Sequence, residues 1–370
     1  MAGRDSNGKV TEAEAEMYAE FRRGNLIPLW TEIGDLMPGE PRPRAIAHCW
    51  RWSNLLAVAR TAGALVPVGR GGERRAIALA NPGLGDRPYA TPTLWAAIQY
   101  LNAGESAPSH RHSQQAFRFV VEGEGVWTVV DGDAVSMRRG DFLPQPSWNW
   151  HSHVNLSSRE MTWIDGLDIP LQHALDVTFF EPGDVDPGVF ETPQRSRSER
   201  LWAHPGLRPV GVSIPVTGTP LLVYRWEQTD QALNDQLAVD DDRSVTEEVG
   251  HAVVRYTDPV TGGDVLPTIR AEFHRFRPDI ASVSVREVGS SVMQVFDGSA
   301  TVTVGEHRWV LERGDLFVVP SWQPWQVHAG DLGADVFRFS DAPVMERLGL
   351  ARSQYTAAEP RNGPDRGPRE

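Results

Sequence analysis

Apolar and polar side chains alternate over several short stretches of the first half of the chain, and glycine or proline residues separate these stretches. Residues 94–101 alternate and lead into residues 104–112, while residues 117–121 precede the turn Glu122-Gly-Glu-Gly125. Strict alternation predicts half-buried β-strands, and the glycines predict tight turns between them. The pattern therefore predicts a run of short antiparallel strands in an all-β protein.

The second half of the chain repeats this pattern. Three matches carry the repeat: residues 296–304 match 121–129, Gly314-Asp315 matches Gly140-Asp141, and Pro320-Ser-Trp322 matches Pro146-Ser-Trp148. An internal duplication of this kind predicts two similar β-domains in one chain.

Segments outside the two repeats have a different pattern. Thr11 and Glu14 form a capping box before a helix with Met17 and Phe21 on one face, and residues 229–237 are typical of a short helix. The predicted organisation is an N-terminal helical, Pro-rich arm (1–60), a first barrel (61–175), a connector with a short helix (176–265), a second barrel (266–350) and a disordered tail (351–370).

Composition and charge exclude several classes of protein. The 370 residues are 40% hydrophobic and 23% charged, as in a soluble globular protein, and the net charge of −13 disfavours nucleic acid or an anionic membrane as partner. Cys49 is the only cysteine, which excludes an intrachain disulfide and suits a reducing compartment. No apolar run approaches the roughly 20 residues that span a bilayer. We therefore expect a cytoplasmic protein.

Histidines are concentrated in the first repeat. His110 and His112 form one pair and His151 and His153 another, and side chains two residues apart on a strand share a face. Three neutral imidazoles suit a divalent first-row metal and leave positions open for substrate and oxygen. Surface or core histidines with ordinary hydrogen bonds are the alternative.

The corresponding positions of the second repeat do not carry these ligands. Val285 and Glu287 match His110 and His112, either Trp325 or Gln326 matches His151, and only His328 remains, as a counterpart of His153. The second barrel is therefore predicted to have lost its metal ligands and to serve packing or assembly.

Arg118 shares a predicted face with His110 and His112 if its strand has no bulge. A buried guanidinium is costly unless an anion or fixed acceptors pair with it, and its fork can bind a carboxylate through two hydrogen bonds. Two interpretations stay open: Arg118 binds a substrate carboxylate, or an internal acid such as Glu122 or Asp141 satisfies it.

The first repeat resembles the cupin signature. The matching residues are Gly104, His110, His112, Gly140, Asp141, Pro146, His151 and Asn155. Many cupins also have a Glu ligand three or four residues after the second His, where this chain has Ala116 and Phe117. This difference favours a three-His site. Trp148 stands where the general motif has Gly, so we expect that turn to differ.

Longer strings resemble the gentisate 1,2-dioxygenase family, which includes salicylate and 1-hydroxy-2-naphthoate dioxygenases. They are His110-Arg-His-Ser-Gln114, Pro146-Ser-Trp-Asn-Trp-His-Ser-His153 and Asp165-Gly-Leu-Asp-Ile-Pro-Leu171. The resemblance covers residues 20–350 and implies a bicupin, with two double-stranded β-helix (jelly-roll) barrels. It implies a homotetramer that binds one Fe(II) in each first barrel through His110, His112 and His151.

The resemblance also implies a substrate pocket. Its residues would be Arg74, Trp95, Ala97, Gln99, Arg118, His153 and Asp165. Arg118 and Arg74 would hold a carboxylate, His153 would hydrogen-bond oxygen or a substrate oxygen, and Trp95 and Ala97 would shape the slot for the ring. Gln99 and Asp165 would orient groups at the metal. Core packing is the alternative for Trp95, Gln99 and Asp165, and Arg75 is the alternative to Arg74.

The implied reaction is Fe(II)-dependent cleavage of a hydroxybenzoate ring by O2, with gentisate converted to maleylpyruvate between C1 and C2. Salicylate, substituted salicylates and 1-hydroxy-2-naphthoate are alternative substrates. A non-catalytic bicupin that binds a small carboxylate is a second possibility. A Mn-dependent decarboxylase or isomerase is a third, which the absence of Glu at positions 116 and 117 disfavours.

Overall fold

A computed structural model describes residues 11–67, 75–183, 190–213, 218–243 and 248–356. The chain divides into two compact units, Met1–Arg42 and Pro43–Glu370. The first is helical and the second consists mainly of antiparallel strands in two barrels. The prediction of an all-β bicupin with an N-terminal helical arm is confirmed.

The first unit contains helices α1 (Glu12–Arg23) and α2 (Leu29–Leu36). The predicted capping box is present, because Thr11 accepts from the Glu14 amide while the Glu14 carboxylate accepts from Thr11. Trp30 donates its indole N–H to the Tyr18 hydroxyl over 3.1 Å. The helical arm is shorter than the predicted 1–60, because the segment after residue 42 belongs to the second unit.

The first barrel consists of two five-stranded sheets. The elements of this part of the chain are β1 (His48–Trp50), α3 (Trp52–Leu65), β2 (Ala76–Ala78), β3 (Trp95–Leu101), β4 (Ser106–His112), β5 (Ala116–Glu122), β6 (Glu124–Val130), β7 (Asp133–Arg138), β8 (Phe142–Gln145), β9 (His151–Asn155), β10 (Met161–Leu167), α4 (Ile169–Ala174) and β11 (Phe180–Pro182). The strand orders are β2-β3-β10-β5-β8 and β11-β4-β9-β6-β7, while β1 joins the second barrel.

The second barrel is one nine-stranded sheet, which includes β1. The remaining elements are α5 (Arg197–Trp202), α6 (Trp226–Arg243), β12 (His251–Arg255), β13 (Arg270–Phe276), β14 (Ser284–Glu287), β15 (Ser291–Val304), β16 (His307–Glu312), β17 (Leu316–Val319), β18 (Trp325–Ser340), α7 (Ala342–Arg347) and β19 (Ser353–Thr356). Helix α6 is longer than predicted for residues 229–237. Strand β19 pairs with β14, so the segment predicted as a disordered tail from residue 351 begins with a strand.

Alternation along the strands separates two kinds of core. On β5, Val120 points into the first barrel, whereas Phe117 and Phe119 belong to a core shared by the two barrels. Phe119 stacks on Phe337 of the second barrel, with ring centroids 4.0 Å apart. The second barrel covers the outer face of β5, so this strand carries apolar side chains on both faces. Arg118 lies between Phe117 and Phe119 in the sequence and therefore points to the inner face.

Each barrel forms an ion pair and a backbone hydrogen bond with the Arg-Trp segment that leads into the other barrel, and we call these contacts the clasp. In the second barrel, Asp315 accepts from the Trp52 amide (2.8 Å) and pairs with Arg51 (2.6 Å). In the first, Asp141 accepts from the Trp226 amide (3.0 Å) and pairs with Arg225 (2.6 Å). The duplicated unit therefore extends upstream to Arg51-Trp52 and Arg225-Trp226, and the two copies exchange these segments.

A second pair of contacts follows the same reciprocal scheme. Thr268 of the second barrel donates to Asp168, the residue before α4, over 2.8 Å. Thr93 of the first donates to Asp341, the residue before α7. Burial raises the pKa of Asp341 to about 6. These polar contacts fix the barrels in one register around their shared aromatic core.

The clasp predicts that Asp141→Ala destabilises the protein by about 3–5 kcal/mol, because it removes one of the two carboxylates that pair with the buried Arg225 and also the acceptor of the Trp226 amide. The free energy of unfolding from urea titration measures this. Asp331→Ala, which removes an exposed carboxylate of the second barrel, should change it by no more than about 0.5 kcal/mol. Equal effects of the two substitutions would contradict the clasp.

Candidate functional site

Three histidines converge inside the first barrel. Strands β4 and β9 are antiparallel neighbours, and their register places His110 opposite His151. His112 lies on the same face of β4, and one ring nitrogen from each of the three lies within 4.8 Å of the others. All three side chains are buried. The predicted triad is therefore assembled.

Backbone carbonyls orient the three rings. The Nδ1 atoms lie 3.1 Å from Pro108 O, 3.1 Å from Gln114 O and 3.0 Å from Asn149 O, for His110, His112 and His151 respectively. Since a carbonyl only accepts, each Nδ1 carries the proton, and Nε2 carries the lone pair. Such neutral imidazoles, held by their second nitrogen, are the usual ligands of a divalent first-row metal. The donor set fits a metal.

The second barrel has different side chains at these positions. Val285 lies opposite Trp325, as His110 lies opposite His151, so Trp325 rather than Gln326 matches His151. Among the described residues, His110, His112 and His151 are the one group of His, Cys, Asp or Glu side chains that is arranged to bind a metal ion.

Arg118 faces the interior of the first barrel, and 2% of its surface is exposed. It lies opposite Asp165 across β5 and β10, with Nε 3.9 Å from Oδ1. One terminal guanidinium nitrogen donates to Gln145 Oε1 over 3.3 Å. Trp163 donates its indole N–H to Asp165 Oδ1 over 3.0 Å, which holds that carboxylate beside the guanidinium. An internal acid therefore does lie beside Arg118, as one of the two interpretations required, but this acid is Asp165 rather than Glu122 or Asp141.

Strand β3 places three predicted pocket residues on the face that looks into the barrel. Ala97 lies opposite Asp165, Gln99 opposite Trp163, and Trp95 opposite Leu167. Ala97 and Gln99 are buried, whereas Trp95 is partly exposed at the strand end. Gln99 Oε1 is buried with no hydrogen-bond partner among the described residues. The amide oxygen is therefore available to a group inside the barrel.

His153 lies on β9 beside His151 and is buried. Its Nδ1 is 2.8 Å from the Thr128 hydroxyl on β6, and its ring packs against Trp163 with centroids 5.5 Å apart. It does not belong to the cluster formed by the other three histidines. His153 is thus placed beside the metal position rather than on it.

Arg74 and Arg75 are the two alternatives that the sequence offers for a second arginine at the substrate carboxylate. Arg74 lies outside the described residues. Arg75 is buried, pairs with Glu105, and donates to the carbonyls of Gly63 and Val66 at the end of α3. Its guanidinium is committed to these contacts.

Sequence reasoning missed several residues of this site. Phe180 on β11 stacks on His110 with centroids 5.5 Å apart, and Gln145, Trp163 and Thr128 contact predicted residues directly. Phe180 lies in the segment interpreted as a connector, so no strand was expected there. Strand parity could have identified Trp163 and Thr128, since both point into the barrel.

Comparisons with known proteins agree with this geometry. Residues 97–169 match the model of the cupin domain. A gentisate 1,2-dioxygenase from a Streptomyces species is 55% identical over 94% of this chain and 98% of its own length, and a 5-aminosalicylate 1,2-dioxygenase from a Comamonas species is 34% identical over 92% and 90%. A crystal structure of salicylate 1,2-dioxygenase from Pseudoaminobacter salicylatoxidans as an adduct with gentisate is 53% identical, with a TM-score of 0.91 over 95% of this chain and 96% of that one.

The fold and the site define a ring-cleaving bicupin dioxygenase, an oxidoreductase that incorporates both atoms of O2. The chain belongs to the gentisate 1,2-dioxygenase family. Within the described residues, no helix is both long and apolar enough to cross a membrane.

The triad predicts that His112→Ala lowers the affinity for a divalent metal at least about 100-fold, because loss of a ligand should cost no less than loss of a residue that only orients a ligand. Metal per chain after dialysis, measured by atomic emission, checks this. His328→Ala, which alters an exposed histidine of the second barrel, should retain the full metal content. A His112→Ala variant with stoichiometric, tightly bound metal would refute the ligand assignment.

Proposed function

We propose that this chain cleaves gentisate between C1 and C2 with O2, to give maleylpyruvate. The observation that carries the proposal is the pairing of a buried, neutral three-His cluster with a buried arginine in one barrel. The first provides a metal position and the second a binding partner for a carboxylate. A hydroxybenzoate carries that carboxylate beside a hydroxyl on an aromatic ring.

The metal in this proposal is Fe(II), one ion in each first barrel, held by His110, His112 and His151. When bound, the ion supplies open positions at which the substrate oxygens and O2 are held together. The three ligands are neutral, so they leave the double positive charge of the ion uncompensated. A substrate with a carboxylate and an adjacent hydroxyl supplies the missing negative charge.

Arg118 binds the substrate carboxylate in this proposal. Its guanidinium is buried and contacts Gln145 on β8 and Asp165 on β10, the latter 3.9 Å away. A charge-assisted contact to a substrate anion is strong in such a dry site. Arg74 is proposed to assist Arg118 in holding the carboxylate.

The other pocket residues shape and orient the substrate. Trp95 and Ala97 on β3 form the slot for the ring, and the Ala97 methyl is the side chain directly opposite Asp165. His153 hydrogen-bonds O2 or a substrate oxygen, while Gln99 and Asp165 orient neighbouring groups. His153, Arg118 and Asp165 are the proposed catalytic residues.

Two features of the whole protein complete the proposal. We expect it to act in the cytoplasm as a homotetramer, in line with the exposed apolar side chains of its helical unit, such as Leu26, Ile27 and Trp30. Light scattering tests the assembly.

Anaerobic reconstitution with Fe(II), followed by gentisate and air, tests the proposed function. Stoichiometric oxygen uptake with ring-opened product is the expected result. Salicylate, 5-aminosalicylate and 1-hydroxy-2-naphthoate should be tested in parallel, because discrimination by such a pocket amounts to only a few kcal/mol. Binding of gentisate by the iron-loaded protein without oxygen uptake would instead indicate a non-catalytic carboxylate-binding bicupin.

Arg118→Ala should lower kcat/KM for gentisate roughly 10- to 100-fold while the iron content is unchanged, because it removes a charged hydrogen bond to the carboxylate. Steady-state oxygen uptake and metal analysis measure the two effects. Arg308→Ala, which removes an exposed arginine of the second barrel, is the control and should match the unmodified protein. Unchanged kinetics of Arg118→Ala would remove Arg118 from the pocket.

Ala97→Gly should widen the slot and increase activity with salicylates relative to gentisate, because it removes a buried methyl that faces the ring. The ratio of kcat/KM values for the two acids is the measurement. Ala96→Gly provides the matched control, since Ala96 is its neighbour on β3 but belongs to the core between the barrels. An identical substrate range for both variants would contradict the placement of Ala97.

A further inference from the structure

We propose that Thr128 is a positioning residue that fixes the orientation of His153 for the reaction. This inference rests on the proposed function. Thr128 on β6 lies directly opposite His153 on β9, and both side chains are buried. The Thr128 hydroxyl oxygen is 2.8 Å from His153 Nδ1 and 3.3 Å from the carbonyl of Ser152.

These two distances define the direction of the hydrogen bonds. A hydroxyl has one proton, and the carbonyl of Ser152 only accepts, so Thr128 donates to Ser152 and accepts from the Nδ1–H of His153. The lone pair of the neutral ring is then on Nε2, at the edge that points away from β6. His153 is thereby prepared to accept a hydrogen bond from a substrate hydroxyl, which selects the substrate from its two proposed partners, because O2 has no proton to donate. The Trp163 ring packs against His153 with centroids 5.5 Å apart.

Thr128→Val and Thr128→Ser test this proposal, because valine keeps the shape of threonine but loses the hydroxyl, whereas serine keeps the hydroxyl. We expect Thr128→Val to lower kcat for gentisate about 10-fold or more with little change in KM or in iron per chain. Thr128→Ser should recover most of the loss. A purely structural role would lower the folded fraction without this split between kcat and KM.

Three results would overturn the proposal: unchanged kcat in Thr128→Val, no recovery in Thr128→Ser, or a loss of iron or folded protein that accounts for the whole effect. Iron uptake and oxygen consumption by the unmodified protein distinguish a failure of this proposal from a failure of the proposed function. If it takes up iron but does not consume oxygen with gentisate, the proposed function itself is wrong. If it is active and Thr128→Val is equally active, only the role of Thr128 is refuted.

A second inference comes from the other barrel. We infer that the guanidinium of Arg338 takes the central position in the second barrel that the metal takes in the first. The repeat places Glu287 at the position of His112, and strand register places Trp325 at that of His151. Arg338 on β18 lies opposite Met293, as Asp165 lies opposite Arg118 in the first barrel.

Side chains at these replaced positions contact Arg338. It forms an ion pair with Glu287, and its guanidinium carbon lies 5.3 Å from the centroid of the Trp325 ring. Its other terminal nitrogen donates over 3.3 Å to Glu272, which lies at the position of Ala97. The Arg338 side chain is 11% exposed. The guanidinium thus links β13, β14 and β18 from inside the barrel.

Charge explains why this arrangement excludes a metal ion. Two carboxylates, Glu272 and Glu287, face the interior, and the planar fork of Arg338 serves both. Arg255, at the barrel surface, also pairs with Glu272. Removal of Arg338 would leave Glu272 and Glu287 without the cation that both contact, and carboxylates are ligands that suit Mn2+.

Arg338→Met in the iron-loaded protein tests this inference, with Mn2+ as the added cation. The unmodified protein should bind no Mn2+ in its second barrel. Arg338→Met should melt several degrees lower, bind one additional Mn2+ per chain in equilibrium dialysis, and recover stability when Mn2+ is added. Arg338→Met/Glu287→Gln should neither bind the additional ion nor recover. Oxygen uptake by the first barrel should persist in both variants.

An Arg338→Met variant that melts like the unmodified protein, or that neither binds nor responds to Mn2+, would overturn the inference. If this variant does not fold without metal, refolding with and without Mn2+ provides the same test: recovery of folded protein with Mn2+ supports the inference and failure contradicts it. Arg338→Lys, which keeps one cation, should fold and bind no additional Mn2+.

Discussion

The site depends on the antiparallel pairing of β4 with β9. This pairing brings His110 opposite His151, with His112 beside them, and backbone carbonyls hold each Nδ1 so that the three Nε2 atoms carry the lone pairs. The cluster is neutral and buried, so a bound divalent ion keeps its full charge until an anion enters. In our proposal that anion is the hydroxybenzoate. The buried arginine of the same barrel then holds the end of the ring that carries the carboxylate. Substrate selection thus follows from the absence of a carboxylate among the protein ligands.

The second barrel shows the same architecture with the opposite arrangement of charge. Its interior has two carboxylates, Glu272 and Glu287, and the cation between them is the covalently attached Arg338. The two barrels are nevertheless one structure, because each is clasped by the Arg-Trp segment that leads into the other. The shared aromatic core fills the space between them. The second barrel therefore supports the face of β5 opposite to the one that carries Arg118.

The sequence predicted much of this arrangement. Strand parity predicted the faces shared by the two histidine pairs, and the duplicated Gly-Asp and Pro-Ser-Trp motifs predicted two β-domains. The choice of His110, His112 and His151 as the metal ligands came from the family resemblance. The reciprocal clasp could not be predicted, because its sequence signal is only the dipeptide Arg-Trp in each repeat. The turn at Trp148 was expected to differ from that of the glycine in other cupins, yet Trp148 adopts a φ of 66° and Trp322 a φ of 64°, the left-handed backbone that glycine favours. The partners of Arg118 depend on which strands become neighbours, which one strand's sequence does not contain.

An anaerobic crystal structure of the iron-loaded protein with gentisate tests the proposed site directly. We expect one ion in the first barrel, bound by His110, His112 and His151, with the carboxylate and the adjacent hydroxyl of gentisate both at the ion and the carboxylate in contact with Arg118. An ion bound elsewhere, or gentisate bound with its carboxylate directed away from the metal and from Arg118, would contradict it.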